Sequence, residues 1–377
     1  MINQVLLFPY WLTLKVRHAL YDSGVFKVNS CEVPSVCVGN ITVGGTGKTP
    51  HTEMILDTLL RSDEWGMKNV AVLSRGHRRS SKGFQQVMRD GSAAFCGDEP
   101  LQIKKRFPVV TVAVDRNRTE GSRFLCHPEL LLTEKKGKGC IDKAFPPSDI
   151  IVLDDAFQHR SLRAKVNIVL VSYDRPIYKD CLIPIGHLRD LPERLQKADV
   201  VIMSKCPGWM DDWERINCAR RLGIRNYHPE TCEGIKADGR SVKLFFTGIT
   251  YGDLEPVFDE ADRHFIYSKK LILFSGIAKD TPLQRYLSDR YQIVKSFRFP
   301  DHHKYSSLDI RRICGAAQAS PTAVVVTTDK DSQRILDCKN VPDSLKARLF
   351  RIPIKVFFLT EGQRGLFEDT LLGLIRA

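Results

Sequence analysis

The residues best suited to chemistry stand in a glycine-rich stretch, VGNITVGGTGKTP, near the start of the chain. Between a strand and a helix, such a stretch turns backbone N–H groups and the positive helix end toward phosphate oxygens, because glycine has no Cβ to keep them away. Lys48 can then reach the β- and γ-phosphates, and the Thr49 hydroxyl can bind Mg²⁺. Thr42 replaces the first glycine of the usual pattern, at the start of the loop rather than in its cradle. The residues predicted to bind a nucleotide are Gly44, Gly45, Thr46, Gly47, Lys48, Thr49 and Pro50.

Two adjacent carboxylates end an apolar stretch, IIVLDD, further along the chain. Nucleoside triphosphatases hold their metal ion with a carboxylate in this position, beside the phosphate loop. Because successive side chains of a strand point to opposite faces, one of Asp154 and Asp155 is expected to bind Mg²⁺ and the other to position a neighbouring group. The sequence leaves open which of the two binds the metal.

The stretch IMSKCP, at the end of another predicted strand, bears on the choice of base. Guanine-specific phosphate-loop proteins usually carry an N-K-x-D motif at this point. Here Ser204 and Lys205 are followed by Pro207 where the aspartate would stand. The sequence therefore favours ATP as the nucleotide.

Alternating strands and helices must position these residues. Six short, nearly continuous apolar runs are typical of strands that helices cover on both faces, and the segments between them have helical patterns. The sequence therefore predicts an α/β fold with a doubly wound, mostly parallel sheet of the phosphate-loop nucleoside triphosphatase kind. The predicted strands are 35–38, 70–74, 109–114, 150–153, 167–171 and 200–203, and the predicted helices include 50–62, 100–106 and 117–126.

The pattern changes at residue 233, where alternating residues surround an Asp238-Gly239 turn signal and predict a two-stranded ribbon. A second, smaller α/β unit follows. We predict a phosphate-loop domain at 31–232, and the ribbon with a smaller α/β domain at 233–377, whose final helix can pack back on the first domain. The strands predicted in the second unit are 270–274, 292–297, 323–328 and 354–359, and its helices are at 282–289 and from Leu308.

Residues 1–30 form an N-terminal segment whose apolar run, from Val5 to Leu14, is interrupted by Pro9. This run is too short to cross a bilayer, and it lacks the positive leader and cleavage site of a secretory signal. Apolar and basic residues side by side fit a helix lying in a membrane interface, and the alternative is a helix packed on the protein's own core. Three neighbouring aromatic residues favour the membrane: Phe8, Tyr10 and Trp11.

The formal charge of +13 indicates an anionic partner, which can be a nucleic acid, a phosphorylated ligand or an acidic membrane. Basic residues cluster at Arg75–Lys82, Lys104–Arg106 and Lys135–Lys138. Aromatic residues are not interleaved with these clusters as base-stacking surfaces require, so no nucleic acid partner is expected. Eleven cysteines without a C-x-x-C pair argue against a disulfide scaffold and a structural zinc site.

Eight motifs follow one another along the chain: VGNITVGGTGKTP, LSRGH, GDEP, DDAFQHR, IPIGHLRD, FSGIAKD, FPDHHKYS and TTDKD. In content and order they resemble the tetraacyldisaccharide 4'-kinase family, the lipid A 4'-kinases of Gram-negative bacteria. The resemblance covers almost the whole chain, including the N-terminal segment. It implies transfer of the γ-phosphate of ATP to the 4'-hydroxyl of an acylated disaccharide 1-phosphate, giving lipid IVA. It also implies Mg²⁺ and a peripheral location at the cytoplasmic face of the inner membrane, and nothing in the sequence indicates an obligate protein partner.

By motif, the resemblance implies that Asp98 of GDEP takes the proton from the attacking hydroxyl, and that His302 of FPDHH pairs with it across the domain cleft. A carboxylate at hydrogen-bond distance can accept such a proton, and a histidine held against it can orient it and tune its pKa. Asp190 stands where the family usually has glutamate, and its shorter side chain reaches less far toward a metal ion. The other implied residues are Lys48 in catalysis, Thr49, Asp154, Asp155 and Asp190 at the metal, and Gln158, His159 and Arg189 at the rim. Separately from the resemblance, three arginines are candidates for the substrate 1-phosphate or lipid head groups, because the planar arginine fork suits phosphate: Arg75, Arg78 and Arg79.

Two other functions are compatible with a phosphate loop. A membrane-recruited nucleoside triphosphatase switch would share the loop and the basic surface, but it does not explain Asp98 with His302 in a second domain. A soluble small-molecule kinase would leave the apolar N-terminal segment without a purpose.

Overall fold

Two large β-sheets organise the part of the chain that the computed structural model describes. That part comprises residues 2–133, 144–277 and 279–377, with side chains from residue 7 onward; the cluster Lys135–Lys138 and Ala278 of the FSGIAKD motif lie outside it. The strands are β1 (Asn29–Ser30), β2 (Ser35–Asn40), β3 (Val70–Ser74), β4 (Gln85–Gln86), β5 (Thr111–Val114), β6 (Ile150–Asp154), β7 (Leu162–Arg163), β8 (Val166–Ser172), β9 (Val200–Ser204), β10 (Arg225–His228), β11 (Glu233–Ile235), β12 (Ser241–Tyr251), β13 (Glu255–Pro256), β14 (Lys270–Ser275), β15 (Gln292–Arg298), β16 (Val324–Thr328), β17 (Leu349–Ile352) and β18 (Ile354–Phe358). The helices are α1 (Ile2–Asp22), α2 (Lys48–Arg61), α3 (Ala93–Cys96), α4 (Asp98–Arg106), α5 (Arg118–Cys126), α6 (Leu130–Thr133), α7 (Asp212–Arg221), α8 (Thr281–Ser288), α9 (Ser307–Ala319), α10 (Asp329–Leu336), α11 (Asp343–Lys346) and α12 (Glu361–Arg376).

The first sheet confirms the predicted doubly wound α/β class. Its central strands lie in the order β9-β8-β2-β6-β3-β5, and each is parallel to its neighbours. The six apolar runs predicted as strands form these six strands, and their side chains fill a hydrophobic core on each face of the sheet. Because β2 and β6 are parallel neighbours, the phosphate loop after β2 and the carboxylates ending β6 meet at one edge of the sheet.

The second sheet has the order β13-β17-β16-β14-β15, with all strands parallel except β13. It corresponds to the predicted smaller α/β unit. Strand β17 and helix α10 are not among the elements predicted from the sequence. Helix α10 reads DKDSQRIL, whose polar residues give little apolar periodicity for a helix to be recognised by.

The link between the two sheets differs from the predicted one. The hairpin at Asp238-Gly239 joins β11 to β12, but β12 also pairs with β9 and therefore extends the first sheet. The second half of β12 pairs antiparallel with β18, from Thr247 opposite Phe358 to Tyr251 opposite Ile354. This β12–β18 pair is the two-stranded ribbon that connects the sheets, so the predicted strand at 354–359 belongs to the ribbon and not to the second sheet. A sequence pattern identifies a strand but not its partner.

The final helix returns to the first sheet. Phe367, Leu371 and Ile375 of α12 are buried in the same core as Phe245 of β12 and Ile55 of α2. The chain therefore crosses between the sheets twice, along β12 and back along β18. The predicted boundaries at residues 30 and 232 stay predictions.

Helix α1 packs on the first sheet with one side and exposes the other. Leu14 is buried in the core beneath it, which agrees with the alternative that the helix packs on the protein itself. The opposite side keeps an apolar surface in contact with solvent. In the part of the chain that the structure describes, no helix is long and apolar enough to span a bilayer. Among the described side chains of α1, the exposed large apolar ones are Phe8, Trp11, Leu12 and Val16.

Candidate active site

The phosphate loop runs from the end of β2 to the start of α2. Gly44 and Gly47 have φ angles of 102° and 85°, in the region that residues with a Cβ rarely adopt. Thr46 is held on both sides, since its hydroxyl accepts a hydrogen bond from Asn40 Nδ2 at 2.8 Å and its carbonyl accepts one from Ser204 Oγ at 2.7 Å. The loop therefore has a defined shape at a helix N-terminus, where backbone N–H groups favour phosphate.

The first turn of α2 carries Lys48, Thr49 and Pro50. Proline is suited to this turn, because its missing N–H would have no partner inside the helix. Lys48 Nζ lies 3.7 Å from Asp155 Oδ1, and Thr49 is buried. The turn thus brings an ammonium group and a hydroxyl group to the edge where β6 ends.

Asp154 is bound by hydroxyl groups at the end of β3 and on α2. It accepts hydrogen bonds from Ser74 Oγ at 3.0 Å and from Thr52 Oγ1 at 3.4 Å. Burial raises the pKa of Asp154 to about 6, and the nearby carboxylates of Glu99 and Asp155 act in the same direction. Asp154 therefore holds a negative charge less readily than an ordinary carboxylate does.

Asp155 lies between two cations. Arg189 donates to it with both terminal nitrogens, from Nη1 to Oδ2 at 3.2 Å and from Nη2 to Oδ1, and Lys48 is on the same side. Burial alone would raise the pKa of Asp155, but Lys48 and Arg189 outweigh it and lower the pKa to about 2. Asp155 is thus the ionised carboxylate that faces the loop lysine.

The structure separates the two charged residues of the HLRD motif. Arg189 turns toward Asp155, whereas Asp190 is fully buried and its Oδ1 forms a hydrogen bond with His18 Nε2 of α1 at 2.6 Å. Tyr10 of α1 also donates to the Arg189 carbonyl at 2.9 Å. Asp190 therefore anchors the N-terminal helix, and this geometry gives no support to its predicted place at the metal.

Gln158 and His159 follow the second carboxylate. Gln158 Nε2 donates to the Asn40 carbonyl at 2.6 Å, so it supports the start of the phosphate loop. His159 Nε2 lies 2.9 Å from Ser161 Oγ. Burial, with nearby arginines, lowers the pKa of His159 to about 4, which leaves its ring neutral at neutral pH.

Asp98 and His302 meet between the two sheets. Asp98 begins α4, next to the first sheet, and His302 follows β15 of the second sheet. Asp98 Oδ2 lies 3.2 Å from His302 Nδ1. The structure thus brings together two residues that are 204 positions apart in the sequence.

Arg334 of α10, which is not among the predicted site residues, binds the same carboxylate. Arg334 Nε lies 3.1 Å from Asp98 Oδ2, and Nη2 donates to the same oxygen. Arg334 Nη1 is in turn bound by Asp331 Oδ1 at 2.8 Å. Burial would raise the pKa of Asp98, but the His302 hydrogen bond and the charges of Lys330 and Arg334 hold it well below its usual range. Asp98 is therefore ionised at neutral pH.

Glu99 connects the phosphate loop with the Asp98 group, which consists of Asp98, His302 and Arg334. Lys330 donates to its carboxylate, and Lys330 foremost, with Lys48 also contributing, lowers the pKa of Glu99. The Glu99 charge in turn raises the pKa of Asp154. The loop and the Asp98 group therefore share one electrostatic environment. Lys330 and Arg334 are four residues apart, a spacing that places two cations on one helix face and that the sequence could have revealed.

A cavity of about 570 Å³ opens beside Asp98 and His302. Loop and helix residues next to both sheets line it, and they include the basic side chains of Arg78, Lys304 and Lys339. An anionic group suits such a lining, because charged donors bind phosphate and carboxylate oxygens strongly.

The three arginines after β3 lie in different surroundings. Arg78 lines the cavity, and its Nη1 donates to the Asp301 carbonyl at 3.5 Å. Arg75 is exposed. Arg79 is buried, and its Nη1 donates to the Val114 carbonyl at 3.1 Å. The guanidinium of Arg79 thus supports the backbone of the first sheet and does not suit its predicted role as a phosphate ligand.

Comparisons with known proteins indicate the same family as the sequence motifs do. A family model described as "LpxK: Tetraacyldisaccharide-1-P 4'-kinase" matches residues 3–372. The chain is 34% identical to the tetraacyldisaccharide 4'-kinase of Phocaeicola vulgatus over 367 residues, which cover 96% of this chain and 91% of that one. It is 35% identical to the protein of the same name from Porphyromonas gingivalis over 377 residues, with 97% and 95% covered.

One solved structure covers the whole of both chains, with a TM-score of 0.69 and 24% identity. It is the "apo" form of LpxK from Aquifex aeolicus, crystallised in complex with ATP. At this identity the likeness shows the fold, and it agrees with the two-sheet architecture described above.

Proposed function

The chain belongs to the tetraacyldisaccharide 4'-kinase family, and on this premise we propose that it transfers the γ-phosphate of ATP to the 4'-hydroxyl of a tetraacyldisaccharide 1-phosphate. The reaction gives lipid IVA and belongs to lipid A biosynthesis. The observation that carries the proposal is the 3.2 Å contact between Asp98 and His302. It supports the proposal because it holds an ionised carboxylate between the two sheets, and the neighbouring Glu99 is influenced by both Lys330 and the loop residue Lys48.

Asp98 is the proposed proton acceptor. Its low pKa keeps it ionised but makes it a weak base. It therefore takes the proton late, when the sugar oxygen is already bonding to phosphorus and the hydroxyl has become a stronger acid. His302 orients the carboxylate and Arg334 balances its charge, so both act through Asp98.

Lys48 and Arg189 are the proposed partners of the γ-phosphate. Both contact Asp155, so a phosphate seated in the loop would lie within reach of two positive charges. Phosphoryl transfer depends mostly on positioning and on neutralising such charge. Gln158 supports this arrangement through Asn40, which also binds the Arg189 guanidinium at 2.5 Å.

We propose Mg²⁺ as the metal ion. Thr49 and the two carboxylates Asp154 and Asp155 offer only oxygen ligands, which Mg²⁺ prefers. Among the residues described, no group of three or more His, Cys, Asp or Glu side chains could hold a metal. Mg²⁺ commonly binds one or two protein carboxylates together with substrate phosphates and water. When bound, the ion neutralises charge on the phosphate oxygens.

Arg78 is the candidate for the 1-phosphate of the acceptor that the geometry favours. It lines the cavity in which Asp98 and His302 lie, whereas Arg79 is engaged by backbone carbonyls. A guanidinium can bind a phosphate through two parallel hydrogen bonds. Replacing Arg78 with alanine should raise KM for the disaccharide 1-phosphate more than KM for ATP.

A peripheral site of action at the cytoplasmic face of the inner membrane is part of the proposal. It is supported by the exposed apolar side of α1 and by Lys15, whose ammonium lies 5.7 Å from the Trp11 ring centre. Such a mixed surface suits the interface of an anionic bilayer. Deleting α1 would also remove Leu14 from the core, so single substitutions on the exposed side are the better test.

Trp11→Ser and Leu12→Ser should reduce the fraction of protein that sediments with vesicles containing phosphatidylglycerol. Val109→Ser is the matched control, since Val109 is an exposed apolar residue outside α1, 80% accessible to solvent. Equal sedimentation of all three variants and the parent protein would contradict a membrane role for this side of α1.

The experiment that tests the function uses purified protein, Mg-ATP and the disaccharide 1-phosphate in detergent micelles. We expect a product with a second phosphate and one ADP formed per product molecule. Hydrolysis of ATP without phosphorylated lipid would favour the nucleoside triphosphatase switch. Phosphorylation of water-soluble sugars in preference to the lipid would favour the soluble kinase.

A further inference from the structure

Lys205, directly after β9, ties this strand to the phosphate loop. Its Nζ donates a hydrogen bond to the Gly45 carbonyl. The preceding Ser204 donates to the Thr46 carbonyl at 2.7 Å. Two consecutive side chains at the end of β9 therefore hold two consecutive carbonyls of the loop.

The backbone of Lys205 adopts an unusual conformation. Its φ is 59°, in the left-handed region that costs free energy for a residue with a Cβ. Such strain persists where surrounding structure imposes it, and it concentrates at ligand sites. Here the strained turn directs a long side chain along the loop. Burial lowers the pKa of Lys205, and the neighbouring Asp174 opposes that effect.

The order of the strands indicates where the nucleotide base must lie. Asp154 and Asp155 end β6 on one side of β2, while β8 and β9 lie on the other side. The γ-phosphate has to face the carboxylates and Asp98, because metal binding and transfer occur there. The ribose and base therefore leave the loop on the side of β8 and β9, outside the carboxyl ends of the strands.

We propose that Lys205 forms the base subsite for the purine nucleotide, with its methylene stem against the ribose and base and its ammonium holding Gly45. The inference rests on the nucleotide-binding half of the proposed function and deepens it. A lysine stem is apolar along its length, so it can cover the face of a purine while its charged end stays hydrogen-bonded. The neighbouring Asp174 is held by Lys279, 3.3 Å away and from the segment after β14, so both sheets contribute to the surroundings of this subsite.

The test compares ligands that contain a base with one that does not. Binding of ADP, ATP and tripolyphosphate, each with Mg²⁺, is measured by calorimetry for the full chain and for Lys205→Ala, Lys205→Met and the exposed control Lys68→Ala. We expect Lys205→Ala to weaken ADP and ATP binding about tenfold, and to change tripolyphosphate binding less than about twofold. Lys205→Met keeps an apolar stem of similar length, so it should retain most of the ADP affinity. Lys68→Ala should bind all three ligands as the parent protein does.

Equal losses for ADP and tripolyphosphate would mean that Lys205 only shapes the loop, and they would overturn the base subsite. Unchanged ADP binding in Lys205→Ala would overturn it as well. An equal loss in Lys205→Ala and Lys205→Met would exclude the stem as the contacting part. These measurements need no lipid, so their outcome is independent of the micelle assay. Failure of lipid phosphorylation with normal ADP binding would count against the proposed function and not against Lys205.

Discussion

Asp155 at the phosphate loop and Asp98 in the cleft between the sheets are both ionised carboxylates bound by an arginine, but their surroundings differ. The Asp155 side chain is 31% exposed and that of its partner Arg189 is 25% exposed. The side chains of Asp98 and Arg334 are each only 8% exposed. Water weakens the first ion pair and hardly reaches the second. A partly exposed pair contributes little to stability, whereas a buried carboxylate deprived of its partner is costly.

The two pairs also differ in what they connect. Lys48, Arg189 and Asp155 all belong to segments around the first sheet, so the loop can be assembled without the second sheet. Asp98 depends on His302 and Arg334, which both come from the second sheet and its helix. The proton acceptor is therefore correctly held only when the two sheets are in contact. The comparison predicts that changes in the cleft affect both activity and stability, while changes at the loop affect mainly activity.

The largest effect is expected for Asp98→Asn. Removing the proton acceptor should lower kcat by about 10²–10⁴-fold and leave the affinity for ADP unchanged. Turnover in the micelle assay and calorimetric ADP binding measure the two effects, with the exposed Asp63→Asn as control. Undiminished turnover would remove Asp98 from the chemistry and leave the contrast between the regions one of stability alone.

Arg334→Met should lower the free energy of unfolding by about 3 kcal/mol, because it leaves the buried Asp98 carboxylate without its main partner. Denaturant unfolding at neutral pH measures the loss. The double variant with Asp98→Asn should recover part of it, since the uncompensated charge is then gone. A loss below about 1 kcal/mol would show that this pair behaves like an exposed one.

The next prediction concerns Glu53, on the helix that follows the phosphate loop. It lies on α2 and is buried against α4, where Gln102 donates to it at 2.8 Å and Arg106 lies 3.1 Å away. Burial raises the pKa of Glu53 to about 7, against the influence of Arg106. The folded protein thus binds a proton more tightly than the unfolded chain does. Stability from this group is fully present below the ordinary glutamate pKa and is lost as the pH rises to about 7.

Glu53→Gln should remove this pH dependence. The free energy of unfolding of the parent protein, relative to the variant, should fall by about 3 kcal/mol between pH 4.5 and pH 7.5. Denaturant unfolding of both proteins across this range provides the measurement. Parallel pH profiles would mean that Arg106 keeps Glu53 ionised in the folded protein.

The smallest change in stability is expected for Arg189→Met. Because the Arg189–Asp155 pair is partly exposed, its loss should lower the free energy of unfolding by less than about 1 kcal/mol. Turnover should nevertheless fall, since one of the two cations proposed for the γ-phosphate is gone. If unfolding were affected as strongly as by Arg334→Met, exposure would not be what distinguishes the two carboxylates.

Patterns among residues that are close in the sequence were sufficient to predict much of the fold. The six parallel strands were recognisable because strands buried on both faces read as continuous apolar runs. The phosphate loop and the Asp154-Asp155 pair were recognisable because their chemistry lies in adjacent residues. The connecting ribbon was assigned to the wrong pair of strands, because the pattern of a strand does not identify the strand it pairs with. Helix α10 was missed because its polar residues give little apolar periodicity.

The site residues in the cleft between the sheets show what could not be predicted from the sequence. Family resemblance pointed to Asp98 and His302. The spacing of Lys330 and Arg334 suggests two cations on one helix face, but it does not indicate that Arg334 binds Asp98, 236 positions away. The metal role expected for Asp190 came from its motif and stays a prediction, whereas its hydrogen bond to His18, 172 positions away, was not foreseen. Similarly, the sequence made Arg79 a candidate phosphate ligand, but in the structure its guanidinium donates to the Val114 carbonyl.

The amino-acid order was enough to establish a nucleotide-binding α/β protein, since backbone shape at glycines and burial of apolar runs depend on residues that are neighbours in the chain. Which carboxylate faces the lysine, which arginine supports the proton acceptor and which strands join the sheets depended on the packed molecule. Those choices follow from burial and charge at contacts between distant segments, and such contacts exist only after the chain has folded.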